Sequence, residues 1–429
     1  MKSLAQIASA LEGYDPQSLP VEQALAFLQT LVEPITDTED IALSDGLDRI
    51  LAGELISPLD VPPHDNSAMD GYAFSGAQLR PGKDLRLAVV GTAWAGRGWR
   101  GQAGLGQCVR IMTGAIMPDG LDTVLPQELA TLSADGQWIT VPADRLTAGG
   151  NRRLRGEDLH RGQAALPDGS RLGPAQLGLA ASLGLERLPV YRRPRVACFS
   201  TGDEILAAGQ APREGAVYDS NRYTLIGLLR RLGCEVLDLG LIPDDPELLR
   251  ASFERAASQA DLIISSGGVS VGEADHTRAM LSQLGEMVFW RVAMRPGRPL
   301  AVGRISHPDR QQPALVFGLP GNPVAVMVTF LAFVRPALLR LMGCSTPASP
   351  LLQARSLQEL RKKPGRTEYQ RGWVSRDAQG QLQVCTTGNQ GSGVLSSMTQ
   401  ANGLIVLHHR QATVQAGQQV DVMMFDGVI

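Results

Sequence analysis

Four stretches of the chain combine acids, hydroxyls and glycines more densely than local folding requires. DLIISSGGVSVGEAD (residues 261–275) runs from a short apolar segment into Ser265, Ser266, Gly267, Gly268 and Ser270, then closes on Glu273 and Asp275. RVACFSTGDE ends on Thr201, Asp203 and Glu204, and EVLDLGLIPDD ends on Asp244 and Asp245. ALVFGLPGNP delivers Pro320, Asn322 and Pro323. Glycines let the backbone approach a ligand closely, so that amide N–H groups can face an anion. Helix N-termini after Asp275 and Asn322 add positive potential suited to phosphate. The carboxylates of Glu204, Asp244 and Asp275 are hard oxygen ligands of the kind Mg²⁺ takes, shared between protein and a phosphate-bearing ligand. Nearby, MRPGRP places Arg295 and Arg298 around a Pro-Gly turn, where two guanidiniums can clamp a tetrahedral anion.

Taken singly, each stretch has an ordinary explanation. A Gly-rich turn between strand and helix is more often structural than functional. Asp244 or Asp245 before Pro246 reads as a helix cap, the arginines as a solvated loop, and the two prolines as a fixed turn. Convergence at one sheet edge is what favours chemistry. A second cluster lies earlier in the chain. DVPPHDNSAMDGYAF packs Asp60, His64, Asp65, Asn66, Ser67, Asp70 and Tyr72 together, and VRIMTGA places Thr113 and Gly114 at a strand end. NRRLRGEDL concentrates Arg152, Arg153 and Arg155 before Glu157 and Asp158; such a run is usually a surface charge cluster. His160, His276 and the His408–His409 pair lack mutual metal-ligand spacing. No G-x-x-x-x-G-K-[ST] loop occurs, which removes the P-loop reading.

The elements that must position these residues follow from the pattern. From about Arg192 to Gly343, strands such as RVACFS and DLIISS alternate with helical stretches such as DPELLRASFERAASQA, which predicts a doubly wound α/β domain with a mainly parallel sheet. Its ligand then sits outside the C-terminal strand ends, where all four loops emerge. Residues from about Ile35 to Pro189 alternate short apolar runs with Gly and Pro turns and read as β-rich. VEQALAFLQTLVEPI has helical spacing, and the tail from about Thr346 reads as a small β domain containing a hairpin, GWVSRDAQGQLQVCTT. With 429 residues, several domains are expected. Hydrophobic content of 44% and a formal net charge of -3 describe a soluble chain with little general affinity for nucleic acid or membrane surfaces. Five scattered cysteines without a CxxC pair suit reduced thiols, the N-terminus lacks a signal-peptide core, and no uninterrupted apolar stretch of spanning length stands out. A cytoplasmic location is the expectation.

In combination, DNSAMDGYA, RIMTGA, RRLRGED, FSTGDE, YDSN, ISSGGVSVGEAD, MRPGRP, GLPGNPV and TGNQGSGVLSSM resemble the MoeA family of molybdopterin molybdenumtransferases, which includes the E domain of gephyrin. The resemblance runs nearly end to end. It implies a multidomain fold: a helical segment over 1–34, a linking α/β domain from 35–56 with 161–190, a β-rich domain over 57–160, a molybdopterin-binding α/β domain over 191–343 and a small β-barrel over 344–429. It implies a homodimer that brings adenylylated molybdopterin and molybdate together in a Mg²⁺-dependent step, releasing AMP and joining molybdenum to the dithiolene sulfurs. Carried over by motif, Glu204, Asp244 and Asp275 match acids tied to activity and metal handling. Asp70 and Thr113 match functional positions that approach the other subunit's α/β domain, Asp158 matches a further motif, and Pro320 and Pro323 shape a loop. Ser265, Gly267, Gly268, Ser270, Arg295, Arg298 and Asn322 complete the expected substrate contacts. Where the family carries lysines around the Pro-Gly turn, this chain has arginines. Implied partners are a molybdopterin adenylyltransferase and maturation proteins of downstream molybdoenzymes. Two rival activities share the features: molybdopterin adenylyltransferase, which needs only the central domain, and a scaffold or carrier that binds without catalysis.

Overall fold

A computed structural model describes residues 2–267, 274–346 and 350–425, with only the backbone described for 274–278. Its centre is a six-stranded sheet. We label its strands β1 (Arg195–Thr201), β2 (Glu235–Ile242), β3 (Leu262–Ser266), β4 (Glu286–Arg291), β5 (Pro299–Ile305) and β6 (Ala314–Leu319), and its helices α1 (Ser220–Arg231), α2 (Pro246–Gln259), α3 (Ala274–Leu284) and α4 (Pro323–Leu341). Strand order is β2-β1-β3-β6-β5-β4. The four strands that carry the chemical loops, β2, β1, β3 and β6, are mutually parallel and so end on one edge. The mainly parallel expectation needs one refinement: at the far side β5 runs antiparallel to both of its neighbours, β6 and β4. Short loops join β4 to β5 and β5 to β6, leaving no room for the crossover helix that a parallel connection requires.

Alternation along the strands sends side chains to two separate cores. Val196, Cys198, Leu262 and Ile264 pack with α1 and α4, while Ala197, Phe199 and Ile263 pack with α2 and α3. α4 is long and apolar enough to cross a membrane, contrary to the expectation that no stretch reaches that length, but most of it is buried inside the protein. Its apolar face is consumed by the core. One wider turn at Phe330–Val334 interrupts its α geometry. Pro336 has no N–H to give, and its ring crowds the carbonyl of Ala332, so a π turn there accommodates it.

The N-terminal segment is latched to the free side of the sheet. Leu19 N–H donates to the Arg291 carbonyl at 3.1 Å, and Ala293 N–H donates back to Leu19 at 2.7 Å. Phe27 meets the edge of Trp290 at 5.0 Å, and the Trp290 indole donates to the Tyr14 hydroxyl at 2.8 Å. Edge strand β4 is thereby covered, which removes a template for association. Toward the front, Gly71–Phe74, Gln107–Ile111, Leu85–Ala93 and three further strands make a second six-stranded sheet. Thr38–Ala42 pairs with Arg187–Tyr191 beside helix Pro174–Ser182, linking it to the centre. In the tail, Thr367–Arg376, Leu382–Thr386, Leu352–Ser356, Gln419–Met424 and Gly403–Leu407 close into a five-stranded barrel. Tyr369, Met398, Leu404 and Val406 of this barrel join the same core as α4 and the N-terminal helix Val21–Leu31.

At the N-terminal ends of β1 and β3 a buried carboxylate gathers the chain. Asp261 accepts from Arg192 at 2.8 and 3.2 Å and from the Arg195 N–H at 2.7 Å, and it also binds Arg310. Burial pushes its carboxyl up, but these donors outweigh burial and hold it below the usual carboxylate range. Asp261→Ala strands two guanidiniums, so a loss of about 3–5 kcal/mol in urea unfolding is expected. Because the folded carboxyl is depressed, that contribution is complete above the ordinary carboxylate range and is lost as pH falls through the folded value. The gap between the wild-type protein and the variant therefore narrows in acid.

Candidate functional site

Contacts between loops bring most of the expected residues to the C-terminal edge of the parallel strands. At the end of β1 the Thr201 hydroxyl donates to Asp244 Oδ1 at 2.5 Å, and the Asp244 N–H reaches Asp203 Oδ1 at 3.3 Å. The loops after β1 and β2 are thus tied together. The two acids after β2 divide their work: Asp245 caps α2 through the N–H groups of Glu247 and Leu248, leaving Asp244 to the rim. Glu204 folds back over Gly202, where an added Cβ would lie 2.6 Å from its carboxylate. Glu204 and Asp244 are both exposed to solvent.

Gly267 leaves β3 at φ +93°, and a Cβ there would sit 2.4 Å from the Thr201 carbonyl oxygen. Only glycine satisfies both demands. Its N–H donates to the Leu319 carbonyl at 3.2 Å, joining the loop after β3 to the end of β6. Ser265 and Ser266 are buried as the last residues of β3. Gly268 and Ser270 lie outside the described residues, as does the side chain of Asp275. Beyond β6, Pro320 is buried while Asn322 is exposed at the N-cap of α4, with no side-chain capping bond, and Pro323 opens the helix. Among the described residues no group of three or more His, Cys, Asp or Glu side chains is arranged to hold a metal. Glu204 and Asp244 nonetheless offer the oxygen donors that a hard cation takes.

Arg295 and Arg298 flank a turn packed on α4, where Gly297 at φ +92° lies against Thr329 and Ala325. Both guanidiniums are exposed and neither has a carboxylate partner among the described residues. Met294 and Arg295 add to barrel strand Thr367–Arg376, which brings Arg295 toward a residue that the sequence reading passed over. Arg371 is only 1% exposed. Its guanidinium donates to Ser397 Oγ at 2.9 Å and to the carbonyls of Asn389 and Gly391 at 3.3 and 3.0 Å, without any acid among the described residues. Burial, with the Arg295 charge adding to it, pushes Arg371 down to about 10, so it remains charged at neutral pH. The covering loop, Gly388–Gly393, also reaches α4, where Val324 N–H donates to the Ser392 carbonyl at 3.1 Å. The strand that carries Arg371, TEYQRGWVSR, is rich in polar residues, so nothing in the local sequence set that arginine apart.

The front cluster is ordered by itself. Asp70 Oδ1 accepts both the Thr113 N–H and its hydroxyl at 2.7 Å, and these bonds hold its carboxyl below the usual range. Arg152 pairs with Asp65 at 3.4 Å and Arg155 with Asp60, while Asp158 stays exposed. No described hydrogen bond or ion pair links this cluster to the α/β rim of the same chain.

Molybdopterin molybdenumtransferase of Haemophilus influenzae is 41% identical over 414 residues, covering 96% of this chain and 100% of that one. The chain belongs to the MoeA family. Family models for the MoeA N-terminal region (domain I and II), the probable molybdopterin binding domain and the MoeA C-terminal region (domain IV) match residues 19–184, 197–340 and 353–425. The enzyme of the same name from Nostoc is 37% identical over 90% of this chain and 88% of its own. Among solved structures, a molybdopterin biosynthesis MoeA protein from Pyrococcus horikoshii superposes with a TM-score of 0.80 at 25% identity, covering 95% of this chain and 100% of that one. As a MoeA-family member this protein is a transferase with a role in molybdenum cofactor biosynthesis. The rim makes Gly267→Ala a stringent variant: overpacking against the Thr201 carbonyl costs about 1–3 kcal/mol, and the positive φ adds to it. Chemical denaturation of the purified variant measures the loss.

Proposed function

We propose that this protein inserts molybdate into adenylylated molybdopterin in a Mg²⁺-dependent step, breaking the adenylate linkage, releasing AMP and joining molybdenum to the dithiolene sulfurs. One observation carries the reading: a single sheet edge and its barrel seam hold exposed acids, a glycine turn and arginines that have no acidic partner among the described residues. The three suit a metal, a phosphate and an oxyanion respectively. Glu204 and Asp244, with Asp275, would hold Mg²⁺, which offsets phosphate charge when bound. The turn at Gly267 and the open N-terminus of α4 beyond Asn322 receive the anionic linkage. Ser265 and Ser266 fix the strand end beneath that turn, and Pro320 and Pro323 fix the second loop. Arg295, Arg298 and Arg371 attract molybdate.

Asp70 and Thr113 form a finished unit that no described hydrogen bond or ion pair ties to the rim of its own chain. That supports a homodimer in which each front domain serves the partner subunit. A cytoplasmic setting, with exchange of substrate and product with a molybdopterin adenylyltransferase and molybdoenzyme maturation proteins, belongs to the same proposal.

Purified protein given adenylylated molybdopterin is expected to release AMP only when Mg²⁺ and molybdate are both present. Tight ligand binding without AMP release under any condition would instead point to a carrier or scaffold, and ATP consumption with unmodified molybdopterin to an adenylyltransferase. Glu204→Gln and Asp244→Asn should lower AMP release by about 10- to 100-fold or more, the range expected for an oriented ligand set. Both residues are solvent-exposed, so stability should hold. Arg298→Ala should raise the molybdate concentration needed for half-maximal release; an unchanged dependence would remove the arginine clamp from the reading.

A further inference from the structure

Asn221 stands where three strand-end loops meet, and nothing above gives it a role. It sits in the first turn of α1, which is firmly mounted: Asp219 caps the helix through the Arg222 N–H at 3.1 Å and accepts the Ser200 hydroxyl of β1 at 2.9 Å. From this base the Asn221 Nδ2 donates to Ser266 Oγ at 2.9 Å and to the Gly321 carbonyl at 2.7 Å. Since a carbonyl can only accept, the Gly321 contact fixes which way the amide points. One side chain therefore grips the residue before the Gly267 turn and the glycine between Pro320 and Asn322. These are the two loops to which the proposed function gives the anionic linkage, and the inference rests on that reading of the rim.

The other half of the amide matters as much. Asn221 Oδ1 is buried and has no hydrogen-bond partner among the described residues. A buried carbonyl without a donor costs stability, and a side chain bearing donors alone would fasten the two loops equally well. Retaining an amide at this point is therefore poorly explained as a fold-only tether.

We infer that Asn221 is the positioning residue of the rim: it sets the separation of the Gly267 turn and the Gly321 turn so that both reach the ligand's anionic group together. Among the described residues its side chain hydrogen-bonds neither Glu204, Asp244 nor the arginine seam. Its loss should weaken the nucleotide side of the site and leave the molybdate side alone.

The test uses full-length protein with Asn221→Ala and with Asn221→Asp, which matches asparagine in size but cannot donate to Gly321. AMP serves as the binding probe, and KM for adenylylated molybdopterin, half-saturating molybdate and thermal midpoint are read together. The expected result is an AMP affinity about tenfold weaker in both variants, or about 1.4 kcal/mol. KM should rise in both, with half-saturating molybdate close to wild type. The thermal midpoint should stay close to wild type in Asn221→Ala; Asn221→Asp, whose carboxylate faces the Gly321 carbonyl, should also melt earlier. AMP affinity and KM equal to wild type would overturn the inference, as would a parallel loss of molybdate and nucleotide dependence, which marks general disruption. If wild-type protein binds AMP but releases none from the adenylate, while Asn221→Ala binds AMP more weakly, the positioning role stands and the insertase reading falls instead.

Discussion

The whole rim depends on how closely two parallel strands end beside each other. β1 and β3 stay in register to Ser200 and Ser266, and the next residue, Gly267, comes so near the Thr201 carbonyl that no Cβ fits. A larger residue would have to swing the loop outward, taking the Ser266 hydroxyl and the Leu319 contact with it. The same two strands are pinned at their other ends by Asp261, which collects Arg192, Arg310 and the Arg195 N–H. Clamped below by a buried charge and above by a steric limit, they form a rigid base from which the chemical loops depart. Precision of this kind is easier to build on strands than on free loops.

Charge is sorted along this edge. Glu204 and Asp244 lie in the open, with water to screen them, whereas the cationic side is partly dry: among the described residues Arg371 is enclosed by carbonyls and one hydroxyl instead of an acid. Burial makes an unmatched guanidinium costly, and an arriving oxyanion would relieve that cost. In the proposed reaction the two signs address different parts of one assembly, the nucleotide phosphate with its metal and the molybdate, so the ligands would be ordered by electrostatics before any bond changes.

Much of this was legible in the chain itself. Alternating strands and helices disclosed the α/β domain, the hairpin GWVSRDAQGQLQVCTT disclosed the start of the barrel, and the four acidic or glycine-rich strand ends marked the rim. What escaped reading was tertiary. The one reversed strand, β5, is marked only by the short connections that precede β5 and β6. Asp244 and Asp245 look alike in sequence, and only the Thr201 hydroxyl and the start of α2 separate their roles. Arg371 occupies a strand position that alternation directs outside the barrel; its burial comes from a loop about twenty residues further on, which no local pattern reveals. Asn221 reads as an ordinary first-turn residue until Ser266 and Gly321 are seen on either side of it.

The seam between barrel and α/β domain has a consequence for how such chains can be recombined. Ser392 of the barrel loop supplies an acceptor to the first turn of α4, strand Thr367–Arg376 takes up Met294 and Arg295, and side chains from both regions share one core. A tail borrowed from a distant relative would bring its own loop length and its own arginine position to the mouth of the site. Modularity in this protein therefore ends short of its apparent domain boundary. A working chimera has to carry α4, the Pro-Gly turn and the barrel together as one inherited block.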